Sequence, residues 1–174
     1  MRAVDMAVSL DPSFVKLLRE GAAKAKDKGK RVLVSATLPA PQPFDLIDVF
    51  ARSENFVRDR FYWSAYGGRL TLLGIGSAQV IERNGADRFG ESRRAWEELV
   101  EDALIAIDET CREHASQPLL ETVEGVPPVI PPLGPVLMGN FAFRSSAVRT
   151  GTWNSFPDSR LVLPQAFLMV WEGN

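Results

Sequence analysis

The chain is poor in the residues that most often carry catalytic chemistry, with one cysteine and one histidine among 174 residues. A single cysteine, Cys111, excludes an internal disulfide. The single histidine, His114, has no GxSxG elbow or other nucleophile near it in the sequence, which argues against a Ser or Cys triad. We expect His114 to be a solvated or capping residue near a helix end and Cys111 to be a buried, inert thiol.

The chain also lacks an excess of charge of one sign and a long apolar run. Lys and Arg number 20 against 22 Asp and Glu, so the net charge of -2 creates no field that would attract nucleic acid or an anionic membrane. The longest apolar run, residues 161–171, is far shorter than the roughly 20 residues that cross a bilayer. The amino terminus has an acid at Asp5 and no sustained apolar segment of the signal-peptide kind. These features predict a cytoplasmic protein without nucleic-acid or membrane partners.

Two weak motifs are better explained without a binding site. Gly74 and Gly76 could begin a dinucleotide fingerprint, but its third glycine would fall at Gln79, and a strand rather than a helix is predicted there. Glu97 and Glu101 share one helix face and could hold a metal, although an exposed acidic face is the commoner arrangement. The residue pattern alone therefore contains no catalytic constellation.

The stretch at residues 60–78, RFYWSAYGGRLTLLGIGSA, is the predicted centre of the chain. Two apolar runs flank Gly67 and Gly68, which predicts a β-hairpin whose turn needs positive φ. Neither strand has a plainly polar face, so we expect the hairpin to be covered on both sides. Gly74 and Gly76 leave gaps in the second strand, which we expect distant parts of the chain to fill.

A helix is predicted to begin at Asp11 and Pro12, an N-cap acceptor followed by proline, and to end by Gly29. Its carboxyl end is rich in lysine, at positions 24, 26, 28 and 30. These lysines could bind phosphate, but they also suit the negative end of the helix dipole, and we prefer that interpretation.

The other predicted elements complete an α+β domain of antiparallel sheet layers with amphipathic helices outside. They are strands at 31–39, 79–83 and 161–171, a short helix at 44–51, a turn at Asn84 and Gly85, and a long amphipathic helix at 92–114. A proline-rich connector spans about 116–135. Residues 1–174 thus read as a single domain, and the final Glu-Gly-Asn predicts a turn into a partner strand beyond residue 174. We therefore expect an incomplete domain.

Three blocks taken together resemble a known family: FYWSAYGGRLTLLGIGSA at 61–78, GPVLMGNFAF at 134–143 and WNSFPDSRLVLPQAFLMV at 153–170. They resemble the amino-terminal portion of the chorismate-utilising enzymes, most closely the isochorismate synthases of the menaquinone and siderophore pathways. The similarity covers about 32–174. Two positions depart from the pattern: Asn140 stands where a second glycine is usual, and Gln165 where a basic residue commonly follows Leu-Pro.

The resemblance implies a layered α+β fold and an enzyme that interconverts chorismate and isochorismate with Mg2+. In similar proteins a lysine base, a glutamate acid and glutamate metal ligands all lie carboxyl-terminal to the segment matching LVLPQAFLMV. We therefore assign no catalytic, cofactor-binding or metal residue to this chain, and expect it to bind no Mg2+ alone. Two alternatives stay open: an anthranilate, aminodeoxychorismate or salicylate synthase, and a non-catalytic binding or scaffolding module.

The apolar stretch 161–171 would be left partly open in such an incomplete domain. A strand that is apolar at nearly every position is normally buried on both faces and paired at its edges. We therefore expect the chain to self-associate through this stretch, and a carboxyl-terminal segment to cover it.

Overall fold

A computed structural model describes residues 12–40, 45–65, 68–116, 131–144 and 151–171. Four helices are present in these ranges: α1 (Pro12–Lys28), α2 (Leu46–Arg52), α3 (Arg88–Glu101) and α4 (Glu109–Ala115). The strands are β1 (Val34–Thr37), β2 (Arg60–Ala65), β3 (Leu70–Ile75), β4 (Gln79–Arg83), β5 (Leu104–Ile107), β6 (Met138–Phe141), β7 (Ser159–Leu163) and β8 (Ala166–Trp171). Short 3-10 helices lie at Ser53–Asn55 and Gly151–Ser155. No helix in the described ranges is long and apolar enough to span a membrane.

The strands form three small sheets. Two are antiparallel, with strand orders β2-β3-β8 and β4-β7-β6, and the third is the parallel pair β1-β5. A mixed structure with antiparallel sheets and helices is therefore confirmed. The parallel pair was not predicted, because the spacing of the apolar residues over 92–114 indicated a helix at 104–107.

The two antiparallel sheets are joined by one bent ribbon of paired strands. Ile75 pairs with Ala166 in one sheet and Gln79 with Leu163 in the other, so residues 76–78 face residues 164 and 165. Three residues opposite two make a β-bulge, which bends the strands and increases their twist. Pairing is kept through the bend by hydrogen bonds from the backbone N of Gln165 to Ile75 O (3.0 Å) and from Ala78 N to Leu163 O (2.8 Å).

The stretch 161–171, predicted as one strand, is therefore two strands in two sheets. The break falls at Pro164 and Gln165, where proline cannot donate to the ladder. β7 is central and paired on both sides, whereas β8 pairs with β3 along one edge in the described part of the chain. The prediction of a single strand with one unpaired edge is thus wrong for β7. Of these two strands, only β8 has an unpaired edge in the described ranges.

The two glycines of β3 and the bend accommodate distant side chains, as predicted. A Cβ on Gly74 would lie 2.7 Å from Met138 Sδ and 3.3 Å from Pro164 Cβ. A Cβ on Gly76, whose φ is 72°, would collide with the side chain of Gln165. Residues more than 60 positions away in sequence therefore fill the gaps.

The β2-β3 hairpin is confirmed, with Ala65 opposite Leu70 at its end. Gly68 has the expected positive φ, 92°, while Gly67 lies outside the described residues. Leu70 and Leu73 are buried on opposite faces of β3, but Trp63 on β2 is 48% exposed. The expectation that both strands are covered is wrong for β2, because β2 is the outer strand of its sheet.

The predicted long helix at 92–114 is also wrong. α3 ends at Glu101, β5 follows, and Asp108 caps α4 by accepting a hydrogen bond from Thr110 N at 2.9 Å. The β-branched side chains of Ile105 and Ile107 favour a strand, and pairing with β1 outweighs the helical spacing of the apolar residues. Asp108, an N-cap type within the predicted helix, was the signal that could have revealed the break.

Helices α1, α2 and α3 cover different sheets. α1 lies on the parallel pair, where Gly21 is buried against Val34 and Leu104. α2 packs on the hairpin through the rings of Phe50 and Tyr62, and α3 lies on β4 and β7. The predicted boundaries of α1 and α2 agree with the structure, whereas the Asp11 cap and most of the 116–135 connector, residues 117–130, lie outside the described residues.

The positive φ of Gly68 gives a direct test of the hairpin turn. Gly68→Val should lower the free energy of unfolding by about 1–3 kcal/mol, because a β-branched residue is strongly disfavoured at positive φ. Gly68→Asn should cost much less, since asparagine tolerates this region. Urea denaturation of both variants measures the difference. Equal losses would contradict the proposed role of the backbone conformation.

Candidate functional site

The third resembling block, 153–170, contributes a buried polar cluster at the junction of β4, β6, β7 and α3. We define this polar cluster as Arg88, Ser92, Asp158, Ser159 and Arg160. Four of its members are buried, and Arg160 is half-buried. Buried polar groups need hydrogen-bond partners, so the partners show what the cluster does.

Asp158 links three segments that are distant in sequence. Its Oδ2 accepts a hydrogen bond from Gly85 N at 2.6 Å, and its backbone N donates to Asn84 Oδ1 at 2.9 Å. Its carbonyl accepts from Ala142 N at 2.6 Å. Asp158 thereby fixes the predicted Asn84 and Gly85 turn, where Gly85 has φ 94°, against the ends of β6 and β7.

Ser159 and Ser92 form a buried hydroxyl pair. Ser159 is fully buried on β7, Ser92 is 2% exposed on α3, and their Oγ atoms lie 3.1 Å apart. Either hydroxyl can donate, so one hydrogen bond joins the two buried side chains. The pair therefore links α3 to β7.

Arg88 is a buried cation at the first turn of α3. Its terminal nitrogens donate to Gly85 O at 3.4 Å and to Ala142 O at 2.9 Å, and its Nε has no partner among the described residues. The guanidinium also lies 4.4 Å from the centroid of the Phe89 ring, within the range of a cation–π contact. Arg88 therefore links the turn after β4 to the end of β6.

Arg160 is neutralised by two carboxylates. Its NH2 donates to Asp59 Oδ1 at 3.0 Å and its Nε donates to Glu82 Oε1 at 3.1 Å. Asp59 precedes β2 and its carbonyl accepts from Gly76 N at 2.8 Å, so this ion pair lies beside the bend. Arg160 joins the two antiparallel sheets across it.

The geometry of the polar cluster suits positioning rather than reaction. The hydroxyl groups face each other, and the hydrogen-bonding groups of Asp158 and Arg160 described above are directed to protein atoms. A general base or nucleophile needs a reacting atom within about 3 Å of it. The buried Ser92 and Ser159 hydroxyls offer no such approach.

Within the described ranges, no group of three or more His, Cys, Asp or Glu residues could hold a metal ion. Glu97, weighed above as a ligand with Glu101, is paired with Arg93 at 2.7 Å. The absence of assigned site residues from this chain stays a prediction.

Three of the four lysines at the end of α1 surround one carboxylate. Lys30 Nζ lies 2.8 Å from Asp102 Oδ2, Lys28 donates to Oδ1, and Lys24 donates to the backbone carbonyl of Asp102 at 2.7 Å. These contacts hold the pKa of the Asp102 carboxyl well below its usual range and raise the pKa of Lys30. Lys26 and Lys28 lie in the last turn of α1, as the dipole interpretation requires. Lys24, Lys28 and Lys30 also form an ion cluster with Asp102, the C-cap residue of α3.

Cys111 is buried, as expected, and burial together with the charge of Asp108 raises the pKa of its thiol. A thiol with a raised pKa is mostly protonated at neutral pH and is a poor nucleophile. His114 lies half-buried in the last turn of α4, which confirms its placement near a helix end.

A small open depression lies at the carboxyl ends of β1 and β5. Its volume is about 170 Å³, and its lining includes Phe14, Leu38 and Ile107. The Thr37 hydroxyl at its edge accepts a hydrogen bond from Gly134 N at 3.1 Å. Small-molecule sites usually enclose about 300 Å³ or more, so we assign no ligand to this depression.

The two departures from the family pattern have local explanations. A Cβ on Gly139 would collide with the backbone carbonyl of Arg160, so glycine is required there. Asn140, the next residue, is exposed, which lets its side chain extend without a clash. Gln165 lies against Gly76 at the bend, where a glycine with positive φ leaves space for it.

The hydroxyl pair can be tested by a double-mutant cycle. Ser92→Ala and Ser159→Ala should each lower the free energy of unfolding by about 1–3 kcal/mol, because each leaves one buried hydroxyl unpaired. The double variant should lose less than the sum of the two, since both partners are then removed. Ser64→Ala, at an exposed serine, should change stability by less than about 0.5 kcal/mol. Additive losses would contradict a direct pair.

The ion cluster predicts a dependence of stability on pH. The lowered pKa of Asp102 stabilises the folded state above the unfolded pKa of about 3.9, and this stabilisation is lost as pH falls through the lower folded value. Wild type should therefore exceed Asp102→Asn in urea midpoint at pH 7, with the gap narrowing below about pH 4. Asp48→Asn, which breaks an exposed pair with Arg52, should have a small effect throughout. A gap independent of pH would refute the assignment.

Comparison with known proteins gives this geometry a family context. No solved structure matches the chain. Isochorismate synthase MenF of Bacillus subtilis (strain 168) is 25% identical over 173 residues, which cover 97% of this chain and 33% of that protein. The chain thus spans about a third of the length of this curated relative. A family profile described as chorismate binding enzyme matches residues 20–122, more than half of the chain. The predicted resemblance is confirmed, and the chain belongs to the chorismate-binding enzyme family.

Proposed function

We propose that this chain is the amino-terminal scaffold of an isochorismate synthase-type enzyme that converts chorismate to isochorismate. The observation that carries the proposal is the match of nearly the whole chain to one third of an isochorismate synthase. In this proposal the base, the acid and the Mg2+ ligands belong to a carboxyl-terminal part outside residues 1–174. The identity of that relative favours this reaction, and the menaquinone pathway, over the other chorismate-utilising enzymes.

The chain's own contribution is to hold two sheets at a fixed angle. The bend at residues 76–78, the Asp158 hydrogen bonds and the ion pair of Arg160 with Asp59 join the sheets through buried or half-buried contacts. Catalytic groups must be kept within a fraction of an ångström of their productive positions, which requires rigid support. A scaffold of this kind supports a site without supplying its reacting atoms.

If the catalytic groups lie outside residues 1–174, this chain alone should form no isochorismate from chorismate and Mg2+ above the uncatalysed background. Without a positioned base, acid and metal cage, the chain lacks groups that each supply orders of magnitude in rate. Coupled detection of isochorismate measures the outcome, with the Bacillus subtilis enzyme as positive control. Turnover that tracks the purified protein would show that the active site lies within this chain.

The complementary experiment adds the missing part. The two thirds of the Bacillus subtilis enzyme that this chain does not match would be produced separately and mixed with residues 1–174. Isochorismate formation by the mixture, and by neither part alone, is the expected result. A complex without activity would argue for a non-catalytic module.

A further inference from the structure

Four exposed phenylalanines lie around the end of the β4-β7-β6 sheet. The exposed fractions are 94% for Phe143, 54% for Phe89, 46% for Phe156 and 39% for Phe141. We call these four residues the phenylalanine patch. Contiguous exposed apolar surface of this kind marks an interaction site more often than scattered apolar residues do.

Two rings of the patch are in direct contact, and the other two residues lie on adjoining segments. The rings of Phe89 and Phe141 stack with centroids 4.5 Å apart and planes at 28°. Phe143 follows two residues after Phe141, and the hydrogen bond from Ala142 N to Asp158 O places the segment before β7, which carries Phe156, alongside. Helix α3, strand β6 and the segment before β7 therefore present aromatic rings at one edge of the sheet.

Contacts beneath the phenylalanine patch fix the backbone that carries it. Arg88 lies against the ring of Phe89 and donates to Ala142 O, between Phe141 and Phe143. Gly139 allows β6 to contact the Arg160 backbone closely. A surface whose backbone is fixed before binding loses little conformational entropy when a partner docks.

Strand β6 adds a backbone edge to the patch. In the described part of the chain β6 pairs only with β7, and Gly139, Asn140 and Phe141 along it are exposed. Unpaired backbone N–H and C=O groups beside apolar side chains form a template for an added strand. Within the described ranges, this edge combines exposed apolar side chains with backbone groups that have no strand partner, whereas β7 of the predicted 161–171 surface is paired on both sides.

We propose that the phenylalanine patch and the edge of β6 dock the part of an isochorismate synthase-type chain that lies outside residues 1–174. The proposal rests on the proposed function, because the chain spans only a third of its curated relative and two thirds of such an enzyme remain to be placed. The partner surface is an apolar segment with a strand that extends the β4-β7-β6 sheet.

The test uses residues 1–174 and, as probe, the unmatched two thirds of the Bacillus subtilis enzyme. Phe143→Asp and Phe89→Asp should each weaken binding by about tenfold or more, as expected for central aromatic contacts. Phe56→Asp is the matched control, since Phe56 is 85% exposed but lies outside the patch, and it should change binding by less than about twofold. Titration calorimetry gives the affinities, and circular dichroism verifies that every variant is folded.

Hydrogen exchange gives a second readout that needs no variant. Amides of β6 should gain protection when the probe binds, whereas amides of α1 should not. Absence of a complex, or equal affinities for the Phe143 and Phe56 variants, would overturn the proposal. The proposal would also be overturned if the patch variants lost a homo-oligomer while their affinity for the probe stayed unchanged. That result would identify a second copy of this chain as the occupant of the patch.

The activity of the complex separates this inference from the proposed function. A complex that needs the patch but forms no isochorismate would overturn the proposed function and leave the docking surface standing. Isochorismate formation that is unaffected by Phe143→Asp and Phe89→Asp would overturn the docking surface and leave the proposed function standing.

Discussion

The hydrogen-bonded bend between the two antiparallel sheets is the constraint on which the rest of the structure depends. Residues 76–78 face residues 164 and 165, and neither Gly74 nor Gly76 has room for a Cβ. Because pairing continues on both sides of the bulge, the angle between the sheets is set by backbone geometry. The polar cluster adds to this constraint, since Arg160 reaches from β7 to Asp59 beside the bend.

The polar and apolar surfaces of the chain have different roles. Its buried polar groups, such as Ser159, Ser92 and Asp158, are directed inward to protein partners, and three lysines surround Asp102. Buried polar networks of this kind specify one arrangement of strands more than they add stability. The phenylalanine patch instead faces outward. The docking proposed for this chain therefore uses apolar side chains and a backbone edge rather than charge.

The parts of the fold that were predictable from sequence are those fixed by neighbouring residues. Gly68 in the hairpin turn and Pro12 at the start of α1 act through local φ and the missing N–H, so their patterns were sufficient. The break of the 92–114 helix was missed because β5 exists through its pairing with β1, 70 residues away. Propensity is a weak guide where tertiary pairing decides.

The candidate site was less predictable for the same reason. Asp158 and Arg160 belong to the block at 153–170 that resembles the family. Their partners, Gly85 and Asp59, are 73 and 101 positions away in the sequence. The spacing of residues does not predict contacts between such distant positions. An aspartate that fixes a turn and an aspartate that binds a metal also cannot be distinguished by residue type. The distinction depends on which donors face it. Here a backbone N–H of Gly85 faces Asp158, and the guanidinium of Arg160 faces Asp59. The block that carries the family resemblance therefore builds the sheet junction.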